Sequence, residues 1–124
     1  MSGAAASKGA LRRSMRARLA SIDPGDRARW SASIVEAIAS SEAWTAARGV
    51  LLYLGDEHEP NLDPLIERGW RAGKRVGAPR MDWPAGTMRG VELGSPAGVE
   101  VRRHGIREPV EGEALEAGAI DLAL

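Results

Sequence analysis

The 124-residue sequence contains no cysteine, which removes disulfides, thiolate metal sites and cysteine nucleophiles from consideration. It carries no net charge, since 17 Lys and Arg balance 17 Asp and Glu. The molecule as a whole therefore exerts no bulk pull on nucleic acid or anionic membrane, and any such attraction must come from a local patch. Long apolar runs are also missing. The longest strongly apolar stretch, residues 50–54, falls far short of the ~20 residues that a membrane-spanning helix takes. The small, polar opening of residues 1–7 has no hydrophobic signal region behind it, so a cytoplasmic protein is expected. There is no internal repeat or low-complexity tract, and only the alanine-rich start, residues 1–7, is expected to be disordered. The two histidines, His58 and His104, are too isolated for a transition-metal site, and no structural zinc is expected.

What is present is ordinary for a folded soluble chain: 44% hydrophobic and 27% charged residues, in a length that fits one domain. Leu11, Met15, Leu19 and Ile22 recur at helical spacing, which predicts an amphipathic helix with Ser7 as a candidate cap. Asp23 before Pro24 marks the start of a second helix, with Trp30, Ile34 and Ile38 as its expected buried stripe and Arg27, Arg29 and Glu36 facing water. The run GVLLYL, residues 49–54, reads as a central parallel strand. Leu62, Leu65, Ile66 and Trp70 predict the next helix, Gly73 its end, and residues 74–78 a second strand, which completes a βαβ unit. A weaker strand near residues 88–93, a loop through residues 95–111 and a buried terminal strand at residues 120–124 follow. The pattern favours an α/β fold.

Two groups of residues attract attention. Lys8, Arg12 and Arg16 lie four apart beside the Leu11, Met15, Leu19 stripe, with Arg13 and Arg18 close by and no acidic residue before Asp23. Such cations can grip a triphosphate, and they can equally be a solvated helix face. Nucleic acid is a distant third reading, because the patch lacks aromatic platforms for stacking. The second group, Asp56, Glu57, His58 and Glu59, follows the central strand, where functional loops of open α/β sheets lie. A carboxylate there can accept paired hydrogen bonds from an amino-pyrimidine ring, and the plain alternative is a solvated turn. Gly69, Gly73 and Lys74 do not make a phosphate loop, since the glycine spacing is wrong and Arg75 stands where Ser or Thr is needed. No nucleophile elbow is present either.

The order of several short motifs is more specific than any one of them. KGALR at residues 8–12, Arg29 with Ser33 and Ile34, YLGDEHE at residues 53–59, GKRVGAP at residues 73–79, Met88, GIREP at residues 105–109 and IDLAL at residues 120–124 occur in sequence. From Lys8 onward the chain resembles the 5-formyltetrahydrofolate cyclo-ligase family, also called methenyltetrahydrofolate synthetase. The resemblance implies a three-layer open α/β sheet with a βαβ unit and amino-terminal helices, of the NagB/RpiA/CoA transferase-like kind. It implies an enzyme that forms a C–N bond, turning 5-formyltetrahydrofolate into 5,10-methenyltetrahydrofolate with ATP and Mg2+ as cofactors. Lys8 and Arg12 would contact ATP phosphates, with Gly9, Ala10 and Leu11 in the same element, and Leu54 and Glu59 would contact the folate. No nucleic-acid partner and no membrane association are implied.

Family members continue past the Asp-Leu strand into a Pro-Gly loop and an arginine- and glycine-rich stretch ending in Tyr-Tyr-Asp. That stretch does not occur in these 124 residues. The expectation is therefore a single domain with its carboxyl-terminal part missing, with little or no activity alone. The alternative is a non-catalytic nucleotide- or folate-binding fragment, or a subunit completed by another chain.

Overall fold

The computed structural model describes residues 3–95 and 97–124. Four helices, α1 (Gly3–Ala20), α2 (Pro24–Ala39), α3 (Glu42–Ala46) and α4 (Pro64–Arg71), accompany six strands. These are β1 (Gly49–Leu51), β2 (Arg75–Asp82), β3 (Thr87–Glu92), β4 (Val99–Val101), β5 (Arg107–Pro109) and β6 (Leu122–Ala123). The main sheet has the order β3-β2-β1-β6. Strand β1 runs parallel to both β2 and β6, and β3 folds back antiparallel on β2. The expected central strand is thus central but ends at Leu51 rather than Leu54, and α4 connects it to its parallel neighbour as the βαβ unit requires.

Helix α4 stops where Gly73 takes a φ of +74°, a left-handed conformation that an L side chain adopts only with strain. Strand β2 runs beyond the expected residues 74–78 because its outer half is paired with β3 from Pro79↔Gly90 to Asp82↔Thr87. The core lies between this sheet and the helices: Val50, Leu65 and Val76 are fully buried, and Leu52, Leu62, Trp44 and Val35 close around them. At roughly 25 cal/mol per Å² of apolar surface, a buried Leu or Val of this kind contributes about 1.5–3 kcal/mol relative to exposure.

The amino-terminal helices depart from expectation in an instructive way. Asp23 caps α2 as its position predicts, accepting from the backbone N–H groups of Gly25 (2.8 Å) and Asp26 (3.2 Å). Yet the buried face of α2 carries Ser31 and Val35, while Trp30 and Ile34 of the expected stripe are 55% and 37% exposed. One residue along a helix is a turn of about 100°. The Ser31 hydroxyl accepts the Asn61 N–H at 2.9 Å, a polar contact that a search for apolar periodicity cannot register. Arg27, expected in water, instead donates to the Leu19 and Ile22 carbonyls and fastens the α1–α2 turn.

Helix α1 starts before Ser7, which lies inside it rather than capping it. Residues 1 and 2 of the alanine-rich start lie outside the described residues, and from Gly3 the chain is helical. Every residue from Ala10 to Ala20 is exposed, including Leu11, Met15 and Leu19. The stripe is amphipathic, but no element of the described chain covers it.

Residues 95–111, expected as a loop, contain the β4–β5 antiparallel pair and a single 3₁₀ turn at Arg103–Gly105. Strand β6 is shorter than the expected residues 120–124, and Leu122 within it and Leu124 just after it are partly rather than fully buried. It is tied to β1 by the Asp121 carboxylate, which accepts the N–H groups of Arg48 (2.8 Å) and Gly49 (3.1 Å), and by Leu124 N–H donating to Leu51 O (2.9 Å).

Candidate functional site

The carboxyl end of β1 leads through Tyr53 and Leu54 into the turn at residues 55–60, the place where open parallel sheets present ligand-binding loops. The turn is tightly built. Gly55 is buried, and a Cβ there would meet Pro60 O and the Tyr53 ring at 3.2 Å. The Tyr53 hydroxyl donates to Pro60 O at 2.9 Å. Burial, and secondarily the charge of Glu59, raise the Tyr53 pKa above its ordinary value, so this hydroxyl stays a donor.

The acidic cluster organises the same turn. Asp56 Oδ1 accepts the N–H groups of His58 (2.8 Å) and Glu59 (3.1 Å), and Glu59 Oε1 accepts the Asp56 N–H (3.0 Å). This is a reciprocal side-chain-to-backbone lock of the kind that Asp favours in turns. The cluster is thus a largely exposed turn, and Asp56, Glu57 and Glu59 border a cavity.

That cavity, of about 660 Å³, lies between α2, the turn, the amino end of α4 and Arg107 of β5. A volume of this size accommodates a drug-sized ligand. Its carboxylates are Glu36, Asp56, Glu57, Glu59 and Asp63, and its cations Arg27, Arg68 and Arg107. Arg68 pairs with Glu36, and Arg107 pairs with Asp63 at 2.8 Å. The remaining carboxylates, on residues 56, 57 and 59, outnumber the one remaining cation, Arg27. The rim is consequently suited to a ligand that presents N–H donors.

Leu54 lies elsewhere. It lines a second cavity of about 230 Å³ with Ile66, Trp70, Leu93 and Val99, where the Trp70 indole N–H donates to Leu93 O at 2.9 Å. Asp63 and Arg107 border both cavities. Leu54 and Glu59, expected at one substrate, thus stand on either side of an Arg107–Asp63 partition. Lys8, Gly9, Ala10, Leu11 and Arg12 share one turn-and-a-half of α1, with Lys8, Ala10, Leu11 and Arg12 exposed and Gly9 half-buried, and none borders these two cavities. The sequence reading did not single out Arg107, Asp63 or Ser31. Only the position of Arg107 within the GIREP motif offered a signal for any of them.

A third cavity, about 280 Å³, is lined by Arg80, Arg89 and Arg102 among others. Their charges are met by Glu100, Glu108 and Glu111, which leaves little attraction for an added anion. Among the described residues no three His, Asp or Glu side chains converge to hold a metal ion. No helix among them is long and apolar enough to cross a membrane.

Residues 4–124 match the 5-formyltetrahydrofolate cyclo-ligase family. The chain belongs to this family. Its fold matches the NMR structure of 5,10-methenyltetrahydrofolate synthetase from Aquifex aeolicus with a TM-score of 0.80 at 25% identity, over 94% of this chain and 58% of that one. The chain thus spans little more than half the length of that cyclo-ligase relative. No curated protein sequence matches it. The family match extends over KGALR on α1, the β1 strand with its turn, and the β5 segment, so each cyclo-ligase motif noted in the sequence falls within it.

Proposed function

We propose that the protein takes part in the ATP-dependent conversion of 5-formyltetrahydrofolate to 5,10-methenyltetrahydrofolate, and that the 660 Å³ cavity receives the folate. The observation that carries this reading is Glu59: it borders that cavity with one carboxylate oxygen committed to the Asp56 N–H and the other without a protein partner among the described residues. A carboxylate fixed in this way offers an acceptor to the N–H groups of a pterin edge, and held in place it costs little further ordering on binding. Leu54, across the partition, would meet an apolar part of the same ligand.

Lys8 and Arg12, with Gly9, Ala10 and Leu11, form the proposed nucleotide element. Both cations are exposed and make no ion pair with a carboxylate among the described residues, so their charge remains available to phosphate oxygens. ATP supplies the phosphoryl group that turns the formyl oxygen into a leaving group while N10 closes the ring. The chain's contribution is placement of the pterin by Glu59 and charge neutralisation by Lys8 and Arg12, which is where phosphoryl-transfer enzymes gain most. Among the described residues no group of three or more carboxylates or histidines converges to hold magnesium. The proposed setting is cytoplasmic.

For the 124 residues by themselves the expected outcome is folate binding. Calorimetric titration of this chain with 5-formyltetrahydrofolate should show saturable binding that Glu59→Ala weakens by about tenfold or more, the loss of one charged hydrogen-bond acceptor. Unchanged binding by that variant would sink the assignment.

A further inference from the structure

The Arg107 guanidinium is unusually committed. Its Nε and Nη2 donate to the Gly55 carbonyl at 3.0 and 2.8 Å, while Nη1 and Nη2 donate to the two Asp63 carboxylate oxygens at 2.8 and 3.1 Å. The side chain is 29% exposed, so these bonds are partly shielded from water. Gly55 is where the chain enters the Glu59 turn, and Asp63 is the residue before α4. An Asp in that position ordinarily caps its helix. Asp63 makes no capping bond to α4. Its carboxylate is turned to Arg107 instead, so a local stabilisation is given up for a tertiary one.

We infer that Arg107 is a positioning residue for Glu59: by clamping both ends of the segment from Gly55 to Asp63, it fixes where the Glu59 carboxylate stands in the large cavity. The inference rests on the folate-site reading of Glu59 and adds to it how the site is held. The planar guanidinium fork is what allows one side chain to bridge a carbonyl and a carboxylate at once, and a lysine ammonium cannot reproduce it. The carboxylate of Asp63 and, more weakly, the charge of Glu59 raise the Arg107 pKa further, so the clamp keeps its charge throughout the working pH range.

The test is a double-mutant cycle on the 124-residue chain with 5-formyltetrahydrofolate as the probe, read by calorimetry. Arg107→Met should weaken binding about tenfold when Glu59 is present and less than about twofold in a Glu59→Gln background, because the clamp acts through Glu59. Arg107→Lys should resemble Arg107→Met, whereas a purely electrostatic role would let lysine restore binding. Asp63→Asn keeps the Gly55 bonds and the fold, and it should give a smaller loss, about threefold, that also vanishes without Glu59. It decides the question if Arg107→Met does not fold. Equal losses in both backgrounds, rescue by lysine, or unchanged binding would each overturn the inference. A Glu59→Gln chain that binds like the parent removes the folate-site reading itself, whereas a Glu59 effect with no coupling to residue 107 removes only the clamp.

Discussion

Glu108 is 1% exposed, yet only one of its carboxylate oxygens is satisfied. Oε1 accepts the Met81 N–H and, at 3.3 Å, an Arg102 N–H; Oε2 has no partner among the described residues. Removing such a carboxylate takes the acceptor from the part-buried Met81 N–H and leaves the half-buried Arg102 guanidinium with the Met81 carbonyl (3.1 Å) in place of a charged partner, at about 1.5–3 kcal/mol for a hydrogen bond to a charged group. Glu108→Ala is accordingly expected to lower stability by about 2 kcal/mol, seen as a reduced urea midpoint with an unchanged slope. An effect under about 0.5 kcal/mol would mean that water replaces the carboxylate. At this scale the sequence speaks unevenly. The place of Glu59, in a turn beyond the central strand, is legible because the apolar run before it reads as a strand. The role of Arg107 is not, because its partners lie 52 and 44 residues away, and no local pattern encodes that proximity.

Among the elements, the first two helices make a controlled comparison. Both have apolar residues at helical spacing, but α2 buries Val35 against the sheet while the α1 stripe stays in solvent. Leu11→Ala should change the stability of the 124-residue chain by no more than about 0.5 kcal/mol, as for an ordinary surface site, whereas Val35→Ala should cost about 2 kcal/mol or more. Chemical denaturation of the two variants checks both, and equal losses would show that α1 is packed in solution. Asp23→Ala removes the α2 cap and should cost about 1 kcal/mol. The α2 start and the βαβ unit are readable because capping chemistry and period are local. Strands β4 and β5 were not, since three residues each are too few for an alternation to stand out from a loop. The choice of buried face on α2 also escaped, because it depends on what Ser31 meets across the fold.

For the molecule as a whole, acid is the revealing variable. Asp121 has its pKa lowered by the backbone N–H groups of Arg48 and then Gly49, and Glu111 has its pKa lowered by hydrogen bonding to Arg89, with further help from Arg80. A carboxylate depressed in the folded state adds stability that is complete above its unfolded value, about 3.9 for Asp and 4.3 for Glu, and is lost as pH falls through the folded value. The urea midpoint should therefore decline below about pH 4, and a midpoint that stays level down to about pH 2.5 would contradict this linkage. Because Asp121 joins β6 to the start of β1, amide exchange at Leu122 and Ala123 should quicken before that of Val50. Helix α1 has a different consequence for the whole chain. At 18 residues it is a rod about 27 Å long on which every residue from Ala10 to Ala20 is exposed, and a compact body of this chain length has a radius of gyration of about 14 Å. Small-angle scattering should return a larger radius and a tailed distance distribution, so that one uncovered helix, more than the packed sheet, sets the hydrodynamic size of the molecule.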